Sequence, residues 1–419
     1  MILHLDIDCF FVSAHRIGKP ELENIPLAVG GRSNLSIFDS KKSVRELSCV
    51  EGAFTSSILS SNTSSYKEYF VDKGKVKGII TTSSYEARAY GVKTAMSVAE
   101  ALRYCPTLKV LPPSYPLYHE LSHKLKAILQ DEIPQVEQFS IDEFFTDVTG
   151  WVEDEDVVEF AYKIKKRVKD ELGIPISVGI AKTKWIAKLA TNSAKPFGVK
   201  YVKENEVDEF TKNIPIEAFP GIGKAYQNRL AKYFIKTLGD IKPKKDLFYS
   251  WGKSGTQLYD RICGIDREKI ALAQSKKSIG LGRTFDPLAN RYELKRRLAI
   301  LCRHLSFLAL KGKHNPLTYS LNIKYKFGEC SKANINTNRL FSELQFKKEV
   351  IKLFESCDLH KTHEIVQLNI TLSNFEENKN ITMNMLNLED DRKNSKLGDS
   401  LHKLRDKFGI DIIKSGVEL

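Results

Sequence analysis

The chain has little cysteine, and what it has is not organised. Seven cysteines stand in 419 residues, at Cys9, Cys49, Cys105, Cys263, Cys302, Cys330 and Cys357, with no CxxC pair. An odd, scattered set excludes a zinc ribbon and a disulfide framework. Long hydrophobic runs are missing too. None approaches the ~20 residues that span a bilayer, and residues 1–10 lack the basic start of a secretory signal. No internal repeat is present. A cytoplasmic protein that does not enter membranes is the expectation.

What is there is length, an ordinary apolar content and positive charge. At 419 residues the chain exceeds one ordinary core, so two to four domains are expected, and 42% hydrophobic with 28% charged residues describes a globular protein. The net charge is +13 and unevenly spread: Lys276 to Lys326 holds twelve Lys/Arg against Asp286 and Glu293. A solvated basic face is one explanation. A polyanion partner is the other, because each Lys or Arg that meets a phosphate releases condensed counterions.

Periodicity predicts strands at 2–7 and 26–31, then a polar stretch from Arg32 to about Lys77 that reads as an insertion or long loop with a short helix near 41–48. A strand and helix start follow at 78–93, a helix at 97–104, and a helix at 116–133 with Leu117, Leu121, Leu125 and Ile128 at helical spacing. "VEQFSIDEFFTDVTG" (136–150) alternates like a strand pair bending near Asp142-Glu143. An amphipathic helix (157–172), a strand (174–181) and a helix (183–198) complete an α+β domain. Short helices fill 213–272, and "AQSKKS" (273–278) reads as a linker. A second mixed region has strands near 317–326 and 364–373 and helices near 292–310 and 341–356, with a last helix at 395–408.

Four acids lie near two strand ends. Asp6 and Asp8 have strand spacing and share a face, whereas the consecutive Asp142 and Glu143 converge only if the backbone bends. Such acids repel unless a cation intervenes, and all-oxygen donors suit Mg²⁺. Each pair alone equally reads as a strand-edge cap. In "TTSSYEARAYGVK" (81–93), Tyr85 and Arg88 stand at i, i+3, suiting a phosphate or an ordinary helix surface. Lys182, Lys184, Lys188 and Lys195 surround one helix, as phosphate ligands or solvated lysines. Pro220-Gly221-Ile222-Gly223-Lys224 between helical stretches reads as a helix-hairpin-helix whose exposed N–H groups hold a DNA phosphate without reading sequence.

"HLDIDCFF", "TTSSYEARAYGVK", "FSIDEFFTDVTG", "VGIAKTKWIAKLATNSAKPFG", "PGIGK" and "KSIGLGRTF" occur in the order found in Y-family DNA polymerases, and together they most resemble the DNA polymerase IV (DinB-type) branch. The resemblance is close over residues 1–31 and about 78–285, and one of pattern beyond. It implies a right-hand polymerase of α+β class: palm at 1–10 and 114–202, fingers at 11–113 with an insertion at about 32–77, and a small helical thumb with the helix-hairpin-helix at 203–273. A linker at 274–282 leads into an α/β little finger at 283–375, and 376–419 is a C-terminal tail.

The implied activity is template-directed, low-fidelity translesion DNA synthesis without proofreading, by a monomer acting on primer-template DNA and deoxynucleoside triphosphates. Asp6, the backbone carbonyl of Ile7, Asp142 and Glu143 would hold two Mg²⁺ ions, with Mn²⁺ able to substitute, and Asp8 is not a ligand. Phe11 matches the steric gate against ribonucleotides. Phe10, Thr82, Tyr85, Arg88 and Lys195 fall on nucleotide positions, and Gly221, Gly223, Lys224, Lys277, Arg283 and Arg296 are the expected DNA contacts.

Two departures stand out. The loop after "VGG" is short in the family, whereas about 45 residues intervene here; a passive insertion costs little closure entropy. In place of the family's clamp-binding peptide stands "NMLNLED" (384–390), a degenerate match that makes a sliding clamp the expected further partner. Two rivals are a structural DNA-binding subunit without catalysis, which intact Asp6, Asp142, Glu143, Tyr85 and Arg88 argue against, and a UmuC-type subunit that needs protein cofactors.

Overall fold

The structure is a computed structural model that describes residues 1–38, 45–46, 59–60, 65–271, 276–376 and 387–418. The helix expected near 41–48 lies mostly outside the described residues.

The first strand, Ile2–Ile7, runs through the middle of a five-stranded sheet ordered Val199–Val202, Ile176–Ala181, Ile2–Ile7, Glu143–Asp147, Val136–Gln138. It is antiparallel to both neighbours, and all six of its residues are buried. Both faces of the sheet are covered, which is why the strand reads as a nearly continuous apolar run. Leu3, Leu5 and Ile7 share a core with helices Tyr115–Glu132 and Val157–Leu172. Ile2 and its neighbour Phe145 share another with helix Lys184–Ala194. By strand alternation, Asp6 belongs to the face of that second helix.

Gly179 sets how closely the helix approaches. A Cβ built there would stand 2.1 Å from the Ala187 carbonyl and 2.3 Å from the Thr191 nitrogen. No residue but glycine leaves room for the backbones to meet. The same helix supplies Trp185 and Leu189 to a separate helical core, with Phe219, Leu230 and Phe248, in the expected thumb.

The expected fingers contain a three-stranded sheet, ordered Ile79–Ser83, Leu27–Gly31, Lys109–Leu111. The expected little finger is a four-stranded sheet, ordered Ser278–Leu288, Ile365–Glu376, Asn315–Tyr325, Cys330–Asn336, with helices Arg291–Lys311 and Glu343–Cys357 contributing to its core. Its polar positions carry exposed Asn322, Lys324, Lys332, Asn334 and Asn336. Strand Ser278–Leu288 begins inside the expected linker, so the sheet starts earlier than 283. Gly280 and Gly282 blunt the alternation that Ile279, Leu281 and Phe285 otherwise show.

The insertion is not passive at its ends. Phe70, from the short helix Tyr66–Phe70, is fully buried in the core of the three-stranded sheet. At the other end, residues 33–38 leave the fingers and reach the little finger. Ile37 and Phe38 are buried in its core, and the Arg297 guanidinium lies over both Phe38 and Phe285. Two expected DNA contacts are used here instead. Arg283 Nε donates to the Asn34 carbonyl at 3.1 Å. Arg296 donates to the carbonyls of Phe38 and Glu418, at 3.2 Å each, and pairs with Glu293. Both arginines therefore hold parts of the chain together, which sequence position alone does not reveal.

The expected tail is likewise part of the little finger. Leu388–Phe408 is one helix, with Asp391 paired to Arg339, His402 against Phe307, and Arg405 paired to Glu343. Beyond it the chain folds back. Arg303, 1% exposed, pairs with Glu418 at 2.6 Å and Asp411 at 2.8 Å, and Lys347 pairs with Glu418 at 2.6 Å. A buried guanidinium without its carboxylates is strongly unfavourable. Truncation after Phe408 is therefore expected to destabilise the little finger by about 3–5 kcal/mol. Lost hydrogen-exchange protection in helix Arg291–Lys311 would register it, and unchanged protection would refute it.

Candidate active site

Strand register brings the acids together. Asp6 pairs directly with Glu143 across adjacent strands, and the Ile7 N–H donates to the Asp142 carbonyl at 3.0 Å. Like charges placed opposite each other on one sheet face are unfavourable. Burial makes this worse: Asp6 is 6% exposed and its carboxyl is pushed up to about 7, by burial first, with Asp142 and Glu143 adding and Lys195 opposing. Burial also raises Asp142, against a hydrogen bond from Ser140.

Two lysines relieve the repulsion. Lys195 Nζ lies 2.6 Å from Asp6, and Lys188 is paired with Glu143. Of the four lysines in this segment, Lys184 is buried with Glu137 and Lys182 pairs with Glu204 at the surface. Lys188 and Lys195, seven residues apart, both reach the acids, where the family resemblance selected only Lys195. Among the described residues, no group of three His, Cys, Asp or Glu side chains is gathered closely enough to hold a metal ion. The donors are nonetheless of a kind that suits a hard cation: they are oxygens only, with Asp6 buried and Asp142 and Glu143 half-buried at the start of the neighbouring strand. His4, two residues from Asp6, was not anticipated. Its Nδ1 lies 2.8 Å from Thr191 Oγ1, and burial, then Lys188, Lys195 and Lys184, keep the ring neutral.

Around this centre stand the residues expected to seat a nucleotide. Helix Tyr85–Ala89 begins at Ser84, whose hydroxyl accepts from the Ala87 N–H. The Arg88 guanidinium lies 5.0 Å from the Tyr85 ring centroid, so the i, i+3 pair does share a face. Thr82 is half-buried on strand Ile79–Ser83. Phe11 is half-buried and stacks on Tyr118 at 4.1 Å. Phe10 differs from expectation: it is 2% exposed and packed in the core with Tyr118, so its side chain is a structural one. The alternation of helix faces sends one of the two adjacent rings inward.

The Gly221 and Gly223 turn is open, with Gly221 at φ +98 and nothing within 4 Å of a Cβ at either position. Gly223 caps helix Lys224–Ala231, and Lys224 is exposed. The stretch before the turn is a short 3-10 helix, Ile216–Ala218, rather than a full α-helix. Lys277 is exposed beside the first little-finger strand. Between fingers and little finger lies a cavity of about 550 Å³, lined by Arg32, Ile79, Thr81, Tyr115, Thr284 and Phe285 among others.

Residues 5–192 match the model of the impB/mucB/samB family, and residues 276–385 match that family's C-terminal domain. DNA polymerase IV of Pectobacterium atrosepticum is 31% identical over 286 residues, covering 68% of this chain and 70% of its own. DNA polymerase IV of Oceanobacillus iheyensis is 27% identical and spans 99% of this chain and 91% of its own. A Y-family DNA polymerase chimera, Dbh-Dpo4-Dbh, shares the fold at a TM-score of 0.72 and 22% identity, covering 90% of this chain and 99% of its own. The chain belongs to the Y family of DNA polymerases, in its DinB-type branch, and is a DNA-directed DNA polymerase.

Proposed function

We propose that this polymerase carries out translesion synthesis by two-metal nucleotidyl transfer, without proofreading, on primer-template DNA. The observation that supports it most directly is the opposition of Asp6 and Glu143, with Asp142 beside them, in a buried site that demands positive charge. Asp6, the Ile7 carbonyl, Asp142 and Glu143 are the proposed ligands of two Mg²⁺ or Mn²⁺ ions. When bound, such ions activate a hydroxyl and stabilise a leaving phosphate. The primer 3′-oxygen bonds to the α-phosphorus as the bond to pyrophosphate breaks.

The chain's own groups would do the rest. Lys195 and Lys188 lie beside the acids and are free to turn to phosphate oxygens once cations replace them. Tyr85, Arg88 and Thr82 line the fingers side, the Arg88 fork suiting phosphate oxygens. Phe11, held flat on Tyr118, excludes a 2′-hydroxyl by occupying its space. Duplex DNA would be gripped by the open Gly221–Lys224 turn, Lys277 and the polar sheet positions Asn322, Lys324 and Lys332. Room for a damaged template base is supported by the cavity beside Ile79 and Thr81. Clamp contact is proposed for residues 384–390, whose Leu388 opens the helix docked on the little finger.

Primer extension by the full chain tests the assignment. D142A/E143A is expected to lose at least roughly 10³-fold in rate, the scale seen when groups acting as a unit are removed, while retaining DNA affinity. Equal extension by both proteins would refute it. F11A is expected to raise ribonucleotide incorporation severalfold or more; unchanged sugar selection would remove the gate.

A further inference from the structure

Asp8 is buried, at 2% exposure, yet lies outside the acidic cluster. Its carboxylate collects donors from three elements. The Phe197 N–H donates to Oδ2 at 2.7 Å, the Ser177 hydroxyl lies 2.9 Å from both oxygens, and the Tyr85 hydroxyl donates to Oδ1 at 3.3 Å. Phe197 has φ +48, in the left-handed region, and follows Lys195 by two residues. The Lys165 ammonium bonds the Phe197 carbonyl from the other side. One side chain thus ties the first strand to the Tyr85 helix and to the turn that carries Lys195.

We propose that Asp8 is a positioning residue for the incoming nucleotide: it touches neither metal nor substrate, and fixes Tyr85 and the Lys195–Phe197 turn so that phenol and ammonium converge on the triphosphate. The proposal rests on the nucleotide reading of Tyr85 and Lys195. Its physical content is preorganisation. A turn with a left-handed residue and a freely rotating tyrosine would both have to be ordered by the nucleotide, and the carboxylate orders them beforehand. Asparagine at this position keeps the shape but replaces one acceptor oxygen with a donor facing donors.

D8N is therefore expected to raise the KM for deoxynucleoside triphosphate roughly ten- to a hundredfold, the range for losing a charged hydrogen bond, with kcat within about threefold. In a K195A/Y85F background, D8N should add little. S177A, which keeps the carboxylate and trims one donor, should shift KM the same way by a smaller factor and serves if D8N does not fold. An unchanged KM in D8N, a fall in kcat alone, or a full additional effect in the K195A/Y85F background overturns the proposal. Unchanged KM in K195A and Y85F themselves would instead overturn the triphosphate reading, and this one with it.

A second, independent observation concerns the insertion. We infer that residues 33–38 are a strap that docks the little finger on the fingers in the absence of DNA. The apolar end, Ile37 and Phe38, is 4% and 8% exposed within the little-finger core. The Thr284 N–H donates to Ser33 Oγ at 3.1 Å, and on the returning limb Lys77 pairs with Asp286 at 2.7 Å. Hydrophobic burial, backbone hydrogen bonds and an ion pair all join the same two regions. Fluorophores on fingers and little finger should report a single narrow distance in the free wild-type protein. I37D/F38D should give a longer, broader distribution in the free protein. D286K should do so partially. A distribution unchanged in I37D/F38D, or one already broad in the free wild-type protein, overturns the strap.

Discussion

The close seating of helix Lys184–Ala194 on the central sheet is the constraint on which the site depends. Gly179 permits it, and the contact is backbone to backbone. Because the helix lies so near, Lys188 and Lys195 emerge beside Asp6 and Glu143 rather than in solvent. The same helix sends Trp185 and Leu189 into the thumb core. The charged cluster and the helical core around Phe219 and Phe248 are thereby positioned by one element. A shift of the helix would move both.

Charge in the site is arranged around an imbalance. Asp6 is buried opposite the half-buried Glu143, with Asp142 next in the chain, and two ammonium groups stand against them. Asp6 and Asp142 are both held above the usual carboxylate range by burial, so added compact positive charge would favour their ionised forms. Lysines on long flexible stems can yield their place at low cost, whereas His4, wedged beneath them and neutral, cannot compete for a proton or a phosphate. Asp8, though two residues from Asp6, is excluded from this balance because neutral donors already saturate it.

Much of this was legible in the sequence. Alternation and period placed the strands at 2–7 and 174–181 and the helices at 116–133 and 157–172 within two residues, because both faces of the sheet are apolar. The bend at Asp142-Glu143 was legible from the need for consecutive acids to converge. Three kinds of feature were not. Strand Ser278–Leu288 was hidden because glycines occupy alternate positions, and strands Lys109–Leu111, Val199–Val202 and Cys330–Asn336 are short or polar. Arg283 and Arg296 lie in a basic run, and only tertiary structure shows that carbonyls and carboxylates consume them. Phe10 and Phe11 are adjacent aromatics, and which one turns inward depends on helix Tyr115–Glu132, far along the chain.

The docked strap alters the kind of motion open to the enzyme. An arm joined to the body by a single attachment could swing in any direction. With a second attachment at Phe38 and Lys77, the chain closes into a loop of domains, and two anchor points define an axis. What rigid-body freedom is left is a rocking about that line, so a duplex must be admitted by tilting the arm rather than by its wandering off and returning.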